Sequence, residues 1–370
     1  MEGPMKILNR QTNFPPGLSL VEELFPDSSL FFDIETTGFS AANTHVYLIG
    51  CAARTEHTIQ LTQFFAETPA EEEQILSAFL ALTAQYNQLI SFNGRTFDVP
   101  YLKERCAVHH LAHSFDTLTH LDIYRKLSKF KPLLNLPGLK QKSLEKFINV
   151  EREDTYSGGD LIELYLQYVK NPSEHECSLL LLHNYEDILG MIKILPVLAY
   201  PQLFEGGFHI IAHEENIYQT YEHQQAKELI LTLSLKYPLP KRISLNNENI
   251  YFTGSEYRAK LKIPVFYGEL KHFYPNYREY YYLPQEDCAI HKSVAFYVDK
   301  EYRAKAKAST CYIRKTGDFL PQFQENMTPW FKQEYRDKIT WFEMTEDFLA
   351  SSELQKNYAL HILEWLLKVC

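Results

Sequence analysis

Three short stretches carry side chains whose types and spacing suit metal-assisted chemistry. Asp33 and Glu35 lie in Ser29-Leu-Phe-Phe-Asp-Ile-Glu35, an apolar run that reads as a buried strand. Residues two apart on a strand project to one face, so these carboxylates stand side by side. Two acids on an otherwise buried strand are costly unless neutralised, and a divalent cation with oxygen ligands is the usual solution. The plainer reading is a strand end whose acids face solvent. In Ser91-Phe-Asn-Gly-Arg-Thr-Phe-Asp98, a strand ends at Asn93, a turn follows and a helix opens at Asp98. Asp98 there either caps the helix or reaches an ion held by the first strand. In His183-Asn-Tyr-Glu-Asp187, inside an apolar helix, the four-residue spacing puts His183 and Asp187 on one face. An Asp on a buried helical stretch needs a partner; the alternative is a solvated stripe of Asn184, Glu186 and Asp187.

The surrounding elements follow from periodicity. Val46–Ala52 and Thr58–Phe65 read as two more strands, joined around residues 54–57, and with the first they suggest an antiparallel meander. Pro69 and Glu71-Glu-Glu73 open a helix whose first turn suits proline and acid. Leu89–Asn93 returns to strand, Val99–Ala107 reads as helix, and a short strand lies near Leu118–Ile123. Helices are expected at about 144–149, 161–169 and 179–198. The fold class that follows is α/β, a mixed sheet sandwiched by helices.

The order of these pieces resembles the DEDD 3′→5′ exonuclease superfamily, with the ribonuclease-H-like fold, and within it the YprB-type family. The resemblance covers about residues 28–200. It also takes in Leu121-Asp-Ile-Tyr-Arg125, Leu139–Glu145 and Tyr156-Ser-Gly-Gly-Asp160. It implies two divalent ions, Mg²⁺ or Mn²⁺, held by Asp33, Glu35, Asp98 and Asp187 about 3.5–4 Å apart, clamping the attacking and leaving oxygens of an in-line displacement. The superfamily orients its water with Tyr four residues before the last Asp, or His five before it. Here His183 is four before and Tyr185 two before. One helical residue turns the azimuth by about 100°, so His183 is read either as replacing the Tyr, as a water-orienting group or base, or as a hydrogen-bonded core histidine. Asp122 is read as a supporting carboxylate or a helix cap. Thr36, Thr37, Phe39, Asn93 and Arg95 are candidates for contacts to a terminal nucleotide, with turn or packing roles as the alternative.

Composition bounds the rest. The 370 residues carry a net charge of −10, 45% hydrophobic and 23% charged residues, as in ordinary globular proteins. The acid excess is uneven, with 25 Asp+Glu against 16 Lys+Arg in residues 1–204 and 22 against 21 in residues 205–370. That imbalance speaks against a protein that coats nucleic acid but suits a carboxylate-built metal site. Six scattered cysteines without a CxxC pair indicate neither a disulfide framework nor a zinc knuckle. The N-terminus lacks an apolar signal core and no run reads as spanning a bilayer, so a cytoplasmic protein without membrane attachment is expected.

Three segments result: an N-terminal extension (1–27), a ribonuclease-H-like exonuclease domain (28–204) and a C-terminal α+β domain rich in aromatic strands (205–370). In the last, a helix is expected at Glu222–Lys236, short strands at 250–253, 257–263, 280–283, 295–298 and 308–314, and a final helix at Ser352–Val369. Tyr302–Lys315 mixes basic and aromatic residues as a single-strand binding surface would, or as a protected strand edge would. Three functions remain in view. The first is a two-metal nuclease trimming single strands of DNA or RNA from the 3′ end. The second is a nuclease-fold protein that binds or scaffolds nucleic acid with weak or no turnover. The third is a hydrolase of small phosphate esters.

Overall fold

The computed structural model describes residues 5–14, 19–55, 58–220 and 222–369, in two units that divide between Pro201 and Gln202. Part of the expected turn at residues 54–57 and parts of the N-terminal extension lie outside the described residues.

The first unit is built on six strands: β1 (Lys6–Asn13), β2 (Ser29–Thr36), β3 (Val46–Arg54), β4 (Thr58–Phe65), β5 (Gln88–Ser91) and β6 (Thr119–Asp122). They are ordered β1-β4-β3-β2-β5-β6. The first four pair antiparallel, and β5 and β6 continue the sheet in parallel. The meander from β2 to β4 is as the alternating sequence demands. β1 is a correction, because the N-terminal stretch read as loop pairs along its whole length with β4. Its residues are mostly exposed, so it carries little of the apolar signal that betrays a strand.

Among the described residues, eight α-helices accompany this sheet: α1 (Ser19–Leu24), α2 (Glu72–Thr83), α3 (Asp98–Val108), α4 (Ile123–Leu127), α5 (Gln141–Phe147), α6 (Gly158–Lys170), α7 (Glu174–Ile194) and α8 (Ala199–Phe204). Two apolar layers form. Leu30, Phe32, Ile34, Ile49 and Cys51 pack with Ile75, Leu76 and Phe79 of α2 and Tyr101, Leu102 and Cys106 of α3. Tyr47 and Phe65 pack with Leu161, Tyr165 and Tyr168 of α6 and Cys177, Leu180 and Leu181 of α7. Each such fully buried side chain contributes about 1.5–3 kcal/mol. Helices on both faces of one mixed sheet follow from strands apolar on both sides. The span Glu174–Phe204 is long and apolar enough to cross a membrane, contrary to the sequence reading, but 72% of its most apolar window is buried in packing.

The second unit carries an antiparallel sheet ordered β14-β15-β13-β9-β8-β7 and a small sheet ordered β11-β10-β12. Its strands are β7 (Phe208–Gln219), β8 (Gln225–Asn247), β9 (Ile250–Phe273), β10 (Tyr280–Leu283), β11 (Cys288–His291), β12 (Ala304–Lys305), β13 (Tyr312–Gln322), β14 (Trp330–Phe331) and β15 (Thr340–Glu343). Helices α9 (Lys292–Ala295), α10 (Glu346–Ala350) and α11 (Ser352–Val369) complete it. The helix expected at Glu222–Lys236 is a strand. Leu229, Leu231, Leu233 and Leu235 recur every second residue and are all buried, which is the strand period and not the helical one. The runs at 250–253 and 257–263 belong to the single strand β9. The strand expected at 295–298 is instead the last residue of α9, a helix whose N-terminus is capped by His291, and the turn that follows.

Candidate active site

On β2 the side chains divide by parity. Leu30, Phe32 and Ile34 enter the layer under α2 and α3, and Asp33 and Glu35 are half-buried on the other face, under α7. Asn184 of α7 is fully buried and donates from Nδ2 to Asp33 Oδ2 at 3.0 Å. Its own Oδ1 accepts from Gln63 Nε2 at 3.0 Å. This approach requires Gly50, which pairs with Asp33 across β2–β3. A Cβ at Gly50 would stand 2.1 Å from Asn184 Oδ1, so the helix can lie this close only where the strand has no side chain.

Asp98 reaches the same place from the opposite side. β5 pairs with β2 only as far as Phe31. Beyond that point the Ile34 N–H is directed at the Asp98 carboxylate, as is the backbone N–H of Asp98 itself, and both act to lower its pKa. The cap itself is Phe97, so Asp98 is the first helical residue. The loop that carries it is fastened by Asp122, which accepts the N–H groups of Asn93 at 3.0 Å and Arg95 at 3.2 Å while capping α4 through Arg125 N–H. Asn93 takes a left-handed conformation (φ 66°), suited to asparagine.

His183 and Asp187 are brought together with Glu35. His183 Nε2 lies 3.1 Å from Asp187 Oδ2 and 3.7 Å from Glu35 Oε1. Ligand atoms of these three residues all lie within 4.8 Å of one another, the one such ligand group of three or more His, Cys, Asp or Glu among the described residues. Nδ1 of His183 is 2.7 Å from Asp154 Oδ2, which also takes Lys142 Nζ at 3.1 Å. The remaining Asp187 oxygen is ion-paired with Arg152, whose Nε and Nη2 also bond Glu145 at 2.5 and 2.9 Å. Glu186 is not in a solvated stripe. It accepts the N–H groups of Glu153 and Asp154, both at 2.9 Å, and so holds the loop that delivers Arg152 and Asp154.

The charges sort into two groups. Burial, then repulsion from Asp187, Glu35 and Asp98, pushes the Asp33 carboxyl well above the usual range. Burial, then Asp187, Asp98 and Asp154, does the same to Glu35. Burial raises Asp98 to about 7 against the pull of its two backbone bonds. Burial also acts to raise Asp187, but His183 and Arg152 together outweigh it and leave this carboxyl below its ordinary value. For His183, burial acts to lower the pKa and Asp187 and Asp154 override it, so the imidazolium is favoured. Asp33, Glu35 and Asp98 have no Lys or Arg ion pair among the described residues, and two nearby buried atoms, Tyr47 Oη and Arg152 Nη1, lack hydrogen-bond partners. Crowded, buried carboxylates that share one imidazole and no Lys or Arg ion pair fit a hard divalent cation. Asp187 fits it with a condition, since both its oxygens are engaged by cationic side chains.

The remaining sequence candidates sit near the site with their polar groups turned to the backbone. Thr36 Oγ1 donates to Gly38 O at 2.9 Å, and Thr37 Oγ1 accepts from His45 N–H at 2.9 Å. Arg95 donates to His120 O at 3.0 Å. Phe39 is 87% exposed, with its ring centroid 6.3 Å from that of Phe97, and is the one aromatic of this set open to a ligand. Tyr185 packs under Arg10. Sequence reasoning gave no role to Arg152 and Asp154, which lie in an irregular loop where periodicity says nothing, or to Lys142 and Glu145 individually, although the segment Leu139–Glu145 is part of the resemblance. Asn184 had a signal: an amide inside a buried helical run needs a partner.

Residues 30–199 match a family model described as the RNase_H superfamily. The fold of the first unit is ribonuclease-H-like. No curated protein matches the chain. Among solved structures, the chain is similar to the family B DNA polymerase of the archaeon Pyrobaculum calidifontis (13% identity, TM-score 0.37, 68% of this chain and 35% of the polymerase). It is also similar to Escherichia coli exonuclease I in its zinc-bound complex with single-stranded DNA (11%, TM-score 0.30, 57% and 55%) and in complex with a dT13 oligonucleotide (10%, TM-score 0.30, 56% and 54%). The chain thus spans about a third to just over half of the length of those proteins.

Proposed function

We propose that the protein is a metal-dependent phosphodiesterase of the DEDD exonuclease type, with YprB-type relatives, trimming single-stranded DNA or RNA from the 3′ end. The observation that supports this reading is the cluster of Glu35, His183 and Asp187, whose ligand atoms lie within 4.8 Å of one another, flanked by the buried carboxyls of Asp33 and Asp98, which repel it. Two Mg²⁺ or Mn²⁺ ions on Asp33, Glu35, Asp98 and Asp187 would supply charge for the attacking and leaving oxygens.

The chain's own residues do the rest. Asp154 accepts from Nδ1–H of His183 and fixes the ring, so Nε2 is aimed between Glu35 and Asp187. Loss of the Nε2 proton leaves a lone pair there, placed to orient or deprotonate water. Phe39 offers an exposed ring against which a terminal base can stack. Arg152 pairs with one oxygen of Asp187 and His183 with the other, so Asp187 would hold an ion only in exchange for one of these contacts.

That clamp favours one competing reading, a nuclease-fold binding protein with little turnover. A 5′-labelled single strand incubated with the purified protein and Mn²⁺ separates the two. A ladder shortening from the 3′ end, absent in Asp33→Asn and Asp187→Asn, supports the nuclease. Retained binding with no product at any Mn²⁺ level, in the unmodified protein, leaves the binding protein.

A further inference from the structure

The two long strands of the second unit do not run straight. The β8–β9 pairing slips between Ser234 and Leu239 and again between Leu239 and Ile243, opposite Gly254–Arg258, where Glu256 has φ 50°. Such irregularities bend a hairpin sharply. The outer half of the hairpin thereby faces the inner half across a cleft of about 810 Å³, continued by a second hollow of about 460 Å³ that shares Arg242, Thr253 and Lys260.

The lining is distinctive in charge. Arg258, Lys260 and Lys262 follow one another on the same face of β9, about 6.6 Å apart at two-residue spacing. Arg242 projects from the outer half and bonds Thr253 Oγ1 at 3.3 Å. The one acid in the lining is Glu228, already bonded by Asn216 and Lys262. Among the described residues, Arg242, Arg258 and Lys260 make no ion pair. Tyr218 and Tyr251, 39% and 49% exposed, stand at one end with Asn246 and Asn249. The basic stretch noted at 302–315 is different, since its Arg314 and Lys315 are paired with Glu269 and Glu343.

We infer that this bent-hairpin groove is a binding site for single-stranded nucleic acid, separate from the carboxylate centre. A row of evenly spaced cations tracks a phosphate backbone, exposed tyrosines accept stacked bases, and amides serve base edges. The inference rests on the nuclease reading for its biological sense and not for its chemistry. The test keeps the two apart.

Fluorescence anisotropy of the full-length protein with a labelled 20-nucleotide single strand is measured in EDTA across a salt series. Three groove contacts predict that the triple variant R258A/K260A/K262A loses about 2 from the slope of log K against log salt, and about 10–100-fold in affinity near 0.1 M salt. Y251A weakens binding about tenfold with the slope unchanged. Photo-crosslinking of a bromouridine-substituted strand should label peptides spanning 242–262, a readout that does not depend on how the variants fold. Unchanged affinity and slope in the triple variant, or crosslinks elsewhere, overturn the groove while leaving cleavage intact. Equal binding of duplex, or of polyglutamate with no effect of Y251A, overturns single-strand recognition. Groove binding without cleavage in any metal sinks the nuclease reading instead.

Discussion

Asp98→Asn should stabilise the metal-free protein, although it alters a residue placed in the active site. The Asp98 carboxyl is buried and rises from an ordinary 3.8 to about 7. For a group whose folded pKa is raised, the folded state favours the protonated form. The charged form therefore destabilises the fold above pH 7, and the penalty fades as pH falls from about 7 to 4. At 1.36 kcal/mol per pH unit the full penalty is about 4 kcal/mol, an upper figure because Asp122 shares in the repulsion. An asparagine keeps the oxygen that accepts the Ile34 N–H and removes the charge. Urea unfolding in EDTA at pH 7.5 should thus place Asp98→Asn about 1–4 kcal/mol above the unmodified protein, with the gap closing at pH 4.5. Mn²⁺ should stabilise the unmodified protein by RT ln(1 + [Mn²⁺]/Kd) and the variant far less. A variant less stable than the parent at pH 7.5, together with a parent insensitive to pH between 4.5 and 7.5, would refute the account of Asp98 as an uncompensated buried charge.

Other expectations follow from the same geometry. Gly50→Ala drives a methyl into Asn184 Oδ1, breaking its bonds to Asp33 and Gln63, and should cost about 2–4 kcal/mol in urea unfolding while weakening Mn²⁺ binding by calorimetry. Glu72 shows the opposite pH sign to Asp98. Burial raises its pKa, but Arg105, His109, the Val46 N–H and His45 together hold it at about 2, so it stabilises the fold above pH 4.5 by about 3 kcal/mol and that stability drains away as pH falls towards 2. Glu72→Gln should remove this acid limb of the unfolding profile and strand the buried Arg105. Asp154→Asn should lower kcat about 10–100-fold with little change in KM, because it loosens the His183 ring without touching substrate, and an unchanged kcat would remove Asp154 from the mechanism.

Alternation and local spacing are properties of the chain, and they were enough to place much of the first unit. Asp33 and Glu35 share a face because strands have a period of two. His183 and Asp187 share one because helices turn every 3.6 residues. The β2–β4 meander, α3, α6, α7 and α11 could be read the same way. Where two periods compete the chain alone misleads, as in β8, whose buried leucines recur every second residue inside a stretch that also suits a helix. β1 failed differently, since an exposed edge strand has no apolar pattern to display. What only the tertiary structure decided is who meets whom across the sheet. Gly50 opens the space through which Asn184 reaches Asp33, the shortness of β5 leaves Ile34 N–H for Asp98, and the irregular loop at 150–156 brings Arg152 and Asp154 onto Asp187 and His183. Such contacts join residues far apart in the chain, and no local periodicity encodes them. They depend on register, helix placement and loop course, which are fixed only when the whole unit packs.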